Sequence, residues 1–189
     1  MFKITFRDLT LLMVLGFVVM LIWVLPFVTP PAKDDAAEPP GNLLVHILWP
    51  PGDSDIDLWV SGPGETTPVG YANKGGSLWN LLRDDLGNSR DATPLNYENA
   101  YTRGIVPGEY VINVHCYRCP TLPQKVDVEV SQKTDDSDKS SMKVLVTTSL
   151  QLFTDGQERT AIRFRLDDRG NLVPGSLNSV FMPLRVRKK

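Results

Sequence analysis

The chain has 189 residues, including 15 prolines and 14 glycines, and a formal net charge of −2. This length allows one ordinary domain with an attached segment, and hardly two separate cores. Proteins that bind nucleic acid normally carry a strongly basic face, so this slightly acidic chain is not expected to do so. Because prolines and glycines recur throughout the chain after residue 40, a helical bundle is disfavoured as well.

The first segment is apolar and long enough to cross a membrane. Residues 9–28 carry no charge, and a helix of that length rises roughly 30 Å, the thickness of a hydrocarbon core. Lys3 and Arg7 precede this run and acidic residues follow it, so the short tail 1–8 is predicted to be cytoplasmic. A cleaved signal peptide would have a shorter apolar region and small residues at its cleavage site, so we expect an uncleaved transmembrane helix.

Two regions follow the predicted helix. Residues 29–42 have prolines near both ends and acidic residues between them, which is typical of a linker that proline stiffens towards the polyproline II conformation. The remaining residues, 43–189, are sufficient for one domain. The predicted orientation of the helix places this domain outside the membrane.

The pattern of residues 43–189 is that of strands. Apolar side chains recur at every second position in four segments, 44–49, 110–116, 126–130 and 160–166. This period predicts strands, and the apolar residues on both faces of 44–49 predict that this strand is buried on both sides. Because proline- and glycine-containing turns separate the strands, we expect an all-β domain, an antiparallel β-sandwich. Two stretches are less regular: 78–86 is interpreted as a helical turn or an irregular strand, and 133–141 as a polar loop.

Three segments of this domain resemble an uncharacterised bacterial family of β-sandwiches. They are DIDLWVSGPG beginning at Asp55, GGSL beginning at Gly75 and GEYVINV beginning at Gly108. The resemblance covers roughly residues 43–120 and implies the fold and an association with the bacterial envelope. It implies no reaction, because the shared residues are structural.

Asp8 is the most informative single residue of the apolar segment. It opens the run in the sequence FRDLTLLMV. An ionised carboxylate at a membrane boundary needs a partner or a function, because desolvation penalises its charge. One interpretation is a helix N-cap, in which the carboxylate accepts the first N–H groups of the helix. The other is an exchangeable ion carrier.

An aspartate at the start of a single N-terminal span resembles the ExbD, TolR and MotB subunits of ion-driven motors. The resemblance covers about residues 5–28 and implies that Asp8 carries the driving ion, usually a proton. It also implies a homodimer whose two helices form a shaft inside a pentameric, polytopic membrane protein of the ExbB, TolQ or MotA type.

These resemblances give two functional expectations. The first is a single-pass subunit of a motor in the bacterial inner membrane, with a cytoplasmic N-terminus and a periplasmic domain that moves an unknown load. The alternative is a membrane-tethered periplasmic binding module whose anchor is inert.

Cys116 and Cys119 form a C-x-x-C sequence at the end of a predicted strand. In an oxidising periplasm a structural disulfide is the favoured interpretation. Free thiols remain an alternative, as does a metal or redox site, although a redox pair normally lies at a helix N-terminus and one C-x-x-C supplies only half of a zinc site.

Three aspartates, Asp53, Asp55 and Asp57, have the alternate spacing of calcium-loop ligands. The glycine and glutamate that complete an EF-hand are absent, so aspartates that cap a turn are the preferred interpretation and calcium is the weaker one. The distant acids that would complete such a site are Glu65, Asp84, Asp85 and Glu98. Apart from the alternative at Cys116 and Cys119, no other metal site is expected.

No group of residues indicates an enzyme. Both histidines, His46 and His115, lie in predicted strands and outside any nucleophile motif, and the sequence has no phosphate-binding G-x-x-x-x-G-K-[ST] segment. We therefore expect neither catalysis nor a cofactor.

Overall fold

The computed structural model describes residues 2–28, 41–87, 94–134 and 141–185. The chain forms two compact units, residues 1–38 and 39–189. We call the second unit the sheet domain. Most of the predicted linker, residues 29–40, lies outside the described residues.

The first unit contains one α-helix, α1 (Phe2–Val28). Its segment Thr5–Val24 is long and apolar enough to cross a membrane, and its side chains are exposed. The hydroxyl of Thr10 donates to the carbonyl oxygens of Arg7 at 2.8 Å and Phe6 at 3.1 Å, so this polar group is satisfied inside the helix. The helix therefore has the length and composition of a membrane anchor.

The sheet domain contains eight strands among the described residues, in two antiparallel sheets. The five-stranded sheet has the order β3-β4-β1-β6-β7 and consists of β1 (Leu43–Trp49), β3 (Trp79–Arg83), β4 (Asn96–Thr102), β6 (Gln124–Thr134) and β7 (Ser141–Leu152). The three-stranded sheet has the order β2-β5-β8 and consists of β2 (Asp55–Ser61), β5 (Gly108–Arg118) and β8 (Glu158–Leu166). The prediction of an all-β, antiparallel, sandwich-like domain with one N-terminal helix is confirmed.

One face of each sheet supplies the core. The predicted inward-facing residues of three strands are all buried: Tyr110, Ile112, Val114 and Cys116 in β5, Val126, Val128 and Val130 in β6, and Thr160, Ile162, Phe164 and Leu166 in β8. β1 differs from the prediction, because Val45 and Ile47 are buried whereas Leu48 is exposed. Its second face is only partly covered, since the domain has two layers and β1 packs on the other layer with one face.

The structure describes the first of the two irregular stretches and both ends of the second. β3 occupies most of 78–86 as a short strand with a register shift after Leu81. β6 and β7 form the two sides of a long hairpin that ends at the pair Thr134 and Ser141, so the predicted polar loop is shorter than 133–141. Residues 135–140 of that loop lie outside the described residues.

Tyr110 connects the core to the turn that precedes β5. Its ring is fully buried and stacks on Phe164, with centroids 5.2 Å apart. Its hydroxyl donates to the carbonyl oxygen of Val106 at 2.7 Å and accepts the N–H of the same residue at 3.0 Å. This arrangement is the tyrosine corner of β-sandwich proteins, which holds a strand start against the chain a few residues upstream.

Replacing Tyr110 with phenylalanine keeps the ring stack and removes both hydrogen bonds. We expect Tyr110→Phe to lower the free energy of unfolding by about 1 kcal/mol, measured by urea denaturation of the full chain in mild detergent. The matched control is Tyr101→Phe, because the Tyr101 hydroxyl makes no hydrogen bond to any described residue. Equal stabilities for the two variants would contradict this role of the corner.

His46 on β1 gives a prediction about pH. Burial lowers the pKa of this half-buried imidazole, partly opposed by the negative charge of Glu129, its neighbour on β6. The native state therefore favours neutral His46, whereas the unfolded chain takes up a proton near pH 6.5. The contribution of neutral His46 to stability is fully present above about pH 6.5 and decreases as the pH falls towards the native pKa.

His46→Gln should therefore remove part of the loss of stability between pH 7.5 and pH 5. The measurement is the difference in urea midpoint between wild type and variant across that range, so that other titrating groups cancel. Parallel curves would show that His46 does not titrate differently in the two states.

Candidate functional site

An acidic cleft lies along the free edge of β2. Its volume is about 170 Å³, and its walls are formed by Asp55, Asp57, Tyr71, Asp84, Leu86 and Tyr117. β2 is the outer strand of its sheet, so its edge presents N–H groups that no strand pairs. One of them, the N–H of Val60, binds the carbonyl oxygen of Val69 at 2.8 Å. The N–H of Leu58 donates to Oε2 of Glu98 at 2.7 Å.

Glu98 crosses from the other sheet to reach this edge. It lies on β4 at an inward-facing position and is 1% exposed. Its second oxygen, Oε1, accepts the N–H of Asp85 at 3.1 Å. Burial raises the pKa of Glu98 well above its ordinary value; the bonds from Leu58 and Asp85 oppose this rise, and the negative charge of Asp57 adds to it.

Three carboxylates meet behind the cleft. Asp57, Asp84 and Glu98 each have an oxygen atom within 4.8 Å of the others. Asp57 comes from β2, Asp84 from the segment that follows β3, and Glu98 from β4. Acids that are distant in the sequence therefore converge, because β2 and β4 belong to facing sheets and the chain leaves β3 at the same end.

A buried histidine holds Asp57. Nδ1 of His115 lies 2.7 Å from Oδ2 of Asp57, and both side chains are almost completely buried. The other ring nitrogen, Nε2, contacts the guanidinium of Arg185. Because a guanidinium only donates hydrogen bonds, Nε2 is the acceptor and Nδ1 carries the proton that is donated to Asp57. Burial nevertheless raises the pKa of Asp57, with the His115 bond acting in the opposite direction.

Asp55 is the least satisfied acid of the cleft. It is 4% exposed, and its Oδ1 atom is buried without a hydrogen-bond partner among the described residues. Burial and the neighbouring charge of Asp57 raise the pKa of Asp55 to about 6, against the opposing charge of Arg118. A buried carboxylate oxygen without a donor costs stability, so this arrangement needs a reason other than folding.

Asp84 and Asp85 are adjacent but differ in their surroundings. Asp85 is fully engaged, with Arg83 at 2.8 Å and the N–H groups of Tyr97 and Gly87 at 3.1 Å and 3.0 Å. Asp84 pairs through Oδ2 with the exposed Lys74 at 2.7 Å, while its Oδ1 atom is buried and unpartnered within the part of the chain that the structure describes. Asp85 therefore stabilises its own loop, and Asp84 presents an oxygen to the cleft.

The structure divides the acids considered in the sequence. Asp55 and Asp57 lie in the cleft, but Asp53 precedes β2 and is exposed outside it, so the three aspartates do not form one calcium loop. Glu65 is used elsewhere, since its Oε1 atom accepts the N–H groups of Leu78 and Trp79 at 2.6 Å and 2.9 Å. The sequence names Glu98 only as one of four possible distant partners, and it does not predict that this side chain is buried and bridges the two sheets.

Cys116 and Cys119 are joined by a disulfide at the end of β5. The neighbouring Asp155 accepts the N–H of Cys119 at 2.8 Å through Oδ1. Because the two sulfur atoms are bonded to each other, they present no thiolate to a metal in this state. Tyr117, between the two cysteines, forms part of the wall of the cleft.

Asp8 lies far along the chain from the cleft, inside α1. The helix begins at Phe2 and has no acidic residue in its first turn. An N-cap residue lies at the helix start with a non-helical backbone, so Asp8 does not occupy the N-cap position. Its side chain is exposed on the helix surface.

The pairing of Asp57 with His115 can be tested by a double-mutant cycle in EDTA. His115→Ala leaves a buried carboxylate without its donor, so we expect a loss of about 3–5 kcal/mol in the free energy of unfolding. In the double variant with Asp57→Asn, the combined loss should be smaller than the sum of the single losses, because the unpaired charge is gone. Additive losses would contradict a coupled pair.

Comparison with known proteins does not place this chain in a family. No protein-family model, no curated protein and no solved structure matches it.

Proposed function

We propose that this chain is a single-pass membrane protein whose β-sandwich domain binds a ligand through the acidic cleft. The observation that carries the proposal is the set of buried carboxylate oxygens without partners, on Asp55 and Asp84, beside an accessible cleft. Unsatisfied buried polar groups and acids with raised pKa values are concentrated at functional sites, because a ligand can satisfy them.

The composition of the cleft limits the chemistry of the ligand. Several carboxylates create a negative field, which disfavours anions and attracts cations or groups that donate hydrogen bonds. The rings of Tyr71 and Tyr117 meet edge to face, 5.7 Å apart, at the same cleft. Carboxylates beside aromatic rings suit a positively charged or hydroxyl-rich ligand.

The anchor in this proposal is α1. Lys3 and Arg7 near its N-terminus favour a cytoplasmic start and a sheet domain on the opposite side of the membrane. The disulfide between Cys116 and Cys119 is consistent with an oxidising compartment such as the periplasm.

A second candidate is the ion-driven motor subunit that the ExbD, TolR and MotB resemblance implies. It is favoured by the position of Asp8, which lies within the apolar segment Thr5–Val24 and not at a helix cap. A carboxylate in that position calls for a partner from other helices, which a pentameric polytopic protein would supply. In this candidate the protein is a homodimer, and Asp8 carries the proton.

Two substitutions separate these candidates. In a strain of the native host that lacks this protein, Asp84→Asn should abolish complementation if the cleft is the functional site, whereas Asp8→Asn should retain it. The matched control is Asp53→Asn, an exposed aspartate outside the cleft. Membrane levels of all three variants, measured by immunoblotting, must equal that of the wild type.

The opposite result would replace the binding proposal with the motor. If Asp8→Asn fails to complement while Asp84→Asn complements fully, Asp8 is the functional residue, as an ion carrier would be. The motor further requires that the wild-type chain, purified in detergent, brings down five copies of a larger membrane protein.

A further inference from the structure

We infer that the acidic cleft is a calcium site in which Asp57, Asp84 and Glu98 surround one Ca²⁺ ion and Asp55 lies beside them in the same cleft. The inference rests on the proposed function of the cleft as a binding site, and it names the ligand that the carboxylates hold directly. It differs from the calcium loop considered in the sequence, because Asp53 is excluded and two of the distant acids, Asp84 and Glu98, lie with Asp57 at the centre of the site.

The first argument is the spacing of the carboxylates. The oxygens of Asp57, Asp84 and Glu98 lie within 4.8 Å of one another. Calcium binds oxygen at about 2.3–2.6 Å, so two oxygens on opposite sides of one ion are up to about 5 Å apart. One Ca²⁺ ion therefore fits between the three acids.

The second argument is independent of that cluster and comes from Asp55. This side chain lines the same cleft as Asp57 and Asp84, yet its buried Oδ1 atom accepts no hydrogen bond from any described residue. With only 4% of the residue exposed, bulk water does not satisfy it either. The Oδ1 atom of Asp84 is in the same condition. Both oxygens have lone pairs available for a cation.

The basic groups around the cleft neutralise the negative charge of its carboxylates only in part. His115 bonds to Asp57, and Arg185 contacts His115. Lys74 pairs with Asp84, but its side chain is 58% exposed and can turn to solvent. Arg118 faces Asp55 but donates to the carbonyl oxygen of Leu86 at 3.2 Å. Arg83 is occupied by Asp85.

The surrounding bonds orient the ligands as in a metal site. His115 donates to Asp57, and the backbone N–H groups of Leu58 and Asp85 donate to Glu98. Such outer bonds fix the direction of metal-binding carboxylates.

The ligand atoms favour calcium over other metals. They are all carboxylate oxygens, which suit hard cations and not the metals that prefer nitrogen or sulfur. Three carboxylates from separate segments, in an irregular arrangement, fit the flexible coordination of Ca²⁺ better than the strict octahedron of Mg²⁺. The open mouth beside Tyr71 and Tyr117 leaves room for water or a further ligand on the ion.

The test uses the full chain purified in detergent and stripped with EDTA. Isothermal titration with CaCl₂ should give one ion per chain. The unfolding temperature should rise by about 5–10 °C when calcium exceeds its dissociation constant 100-fold. MgCl₂ at the same concentration should give a smaller shift, and NaCl of equal ionic strength none. No binding and no shift at millimolar calcium would overturn the inference, as would a larger shift with Mg²⁺.

Variants identify the residues involved. Asp55→Asn and Asp84→Asn should each reduce the calcium-dependent shift by at least half, while Asp53→Asn should retain it. In EDTA the first two variants should unfold at the same temperature as the wild type or higher, because each removes a charge from a repelling cluster. A full calcium response in both variants would place the ion elsewhere and overturn the site.

The two proposals fail separately. If Asp84→Asn fails to complement and the wild type binds no calcium, the cleft is still a functional binding site, but its ligand is not calcium. If the wild type binds one calcium ion per chain and Asp84→Asn complements normally, the calcium site stands and the proposed function of the cleft is wrong.

Discussion

Glu98 is an acid at a position that a two-layered sheet domain normally fills with an apolar side chain. Its carboxylate is buried between the sheets, so each oxygen requires a donor, and the N–H groups of Leu58 and Asp85 supply them. These two bonds connect β4 of one sheet to the edge of β2 in the other and to the segment after β3. The arrangement of the acidic cleft depends on them, because they hold the Glu98 carboxylate beside Asp57 and Asp84.

The acids of the cleft differ in how well hydrogen bonds and ion pairs compensate for the burial of their carboxylates. Asp85 has a basic partner and two backbone donors, whereas Asp55 has a buried oxygen that no described residue contacts. A fold selected for stability alone would replace such an oxygen with an apolar group, which is often neutral or favourable. Other buried polar atoms in the domain also lack partners, but Asp55 and Asp84 are the only acids among the described residues with such an oxygen, and the proposed ligand would satisfy both.

Much of this architecture can be predicted from local patterns, and the cleft cannot. The regular alternation in β5, β6 and β8 predicts the core-facing side of each strand, but it does not predict that Val111 and His115 on the other side of β5 are buried as well. β7 was not predicted, since a register shift between Val144 and Val146 interrupts its alternation and most residues on its inner face are only half-buried, as befits an edge strand. The convergence of Asp57 with Glu98 depends on how β2 and β4 face each other, and no local spacing contains that information. Similarly, the even spacing of Asp53, Asp55 and Asp57 predicts a local loop, but β2 begins only at Asp55 and separates the first aspartate from the others.

The place where the chain enters the sheet domain has a mechanical consequence. β1 is the central strand of the five-stranded sheet and pairs with β4 on one side and β6 on the other. Asn42, just before it, already bonds to Thr102 and Lys133 on these two neighbours. Tension applied along β1 from residue 42 would therefore load the hydrogen bonds perpendicular to the strand in shear on both sides. The attachment point resists being peeled away one bond at a time, whether the helix merely holds the domain or pulls on it.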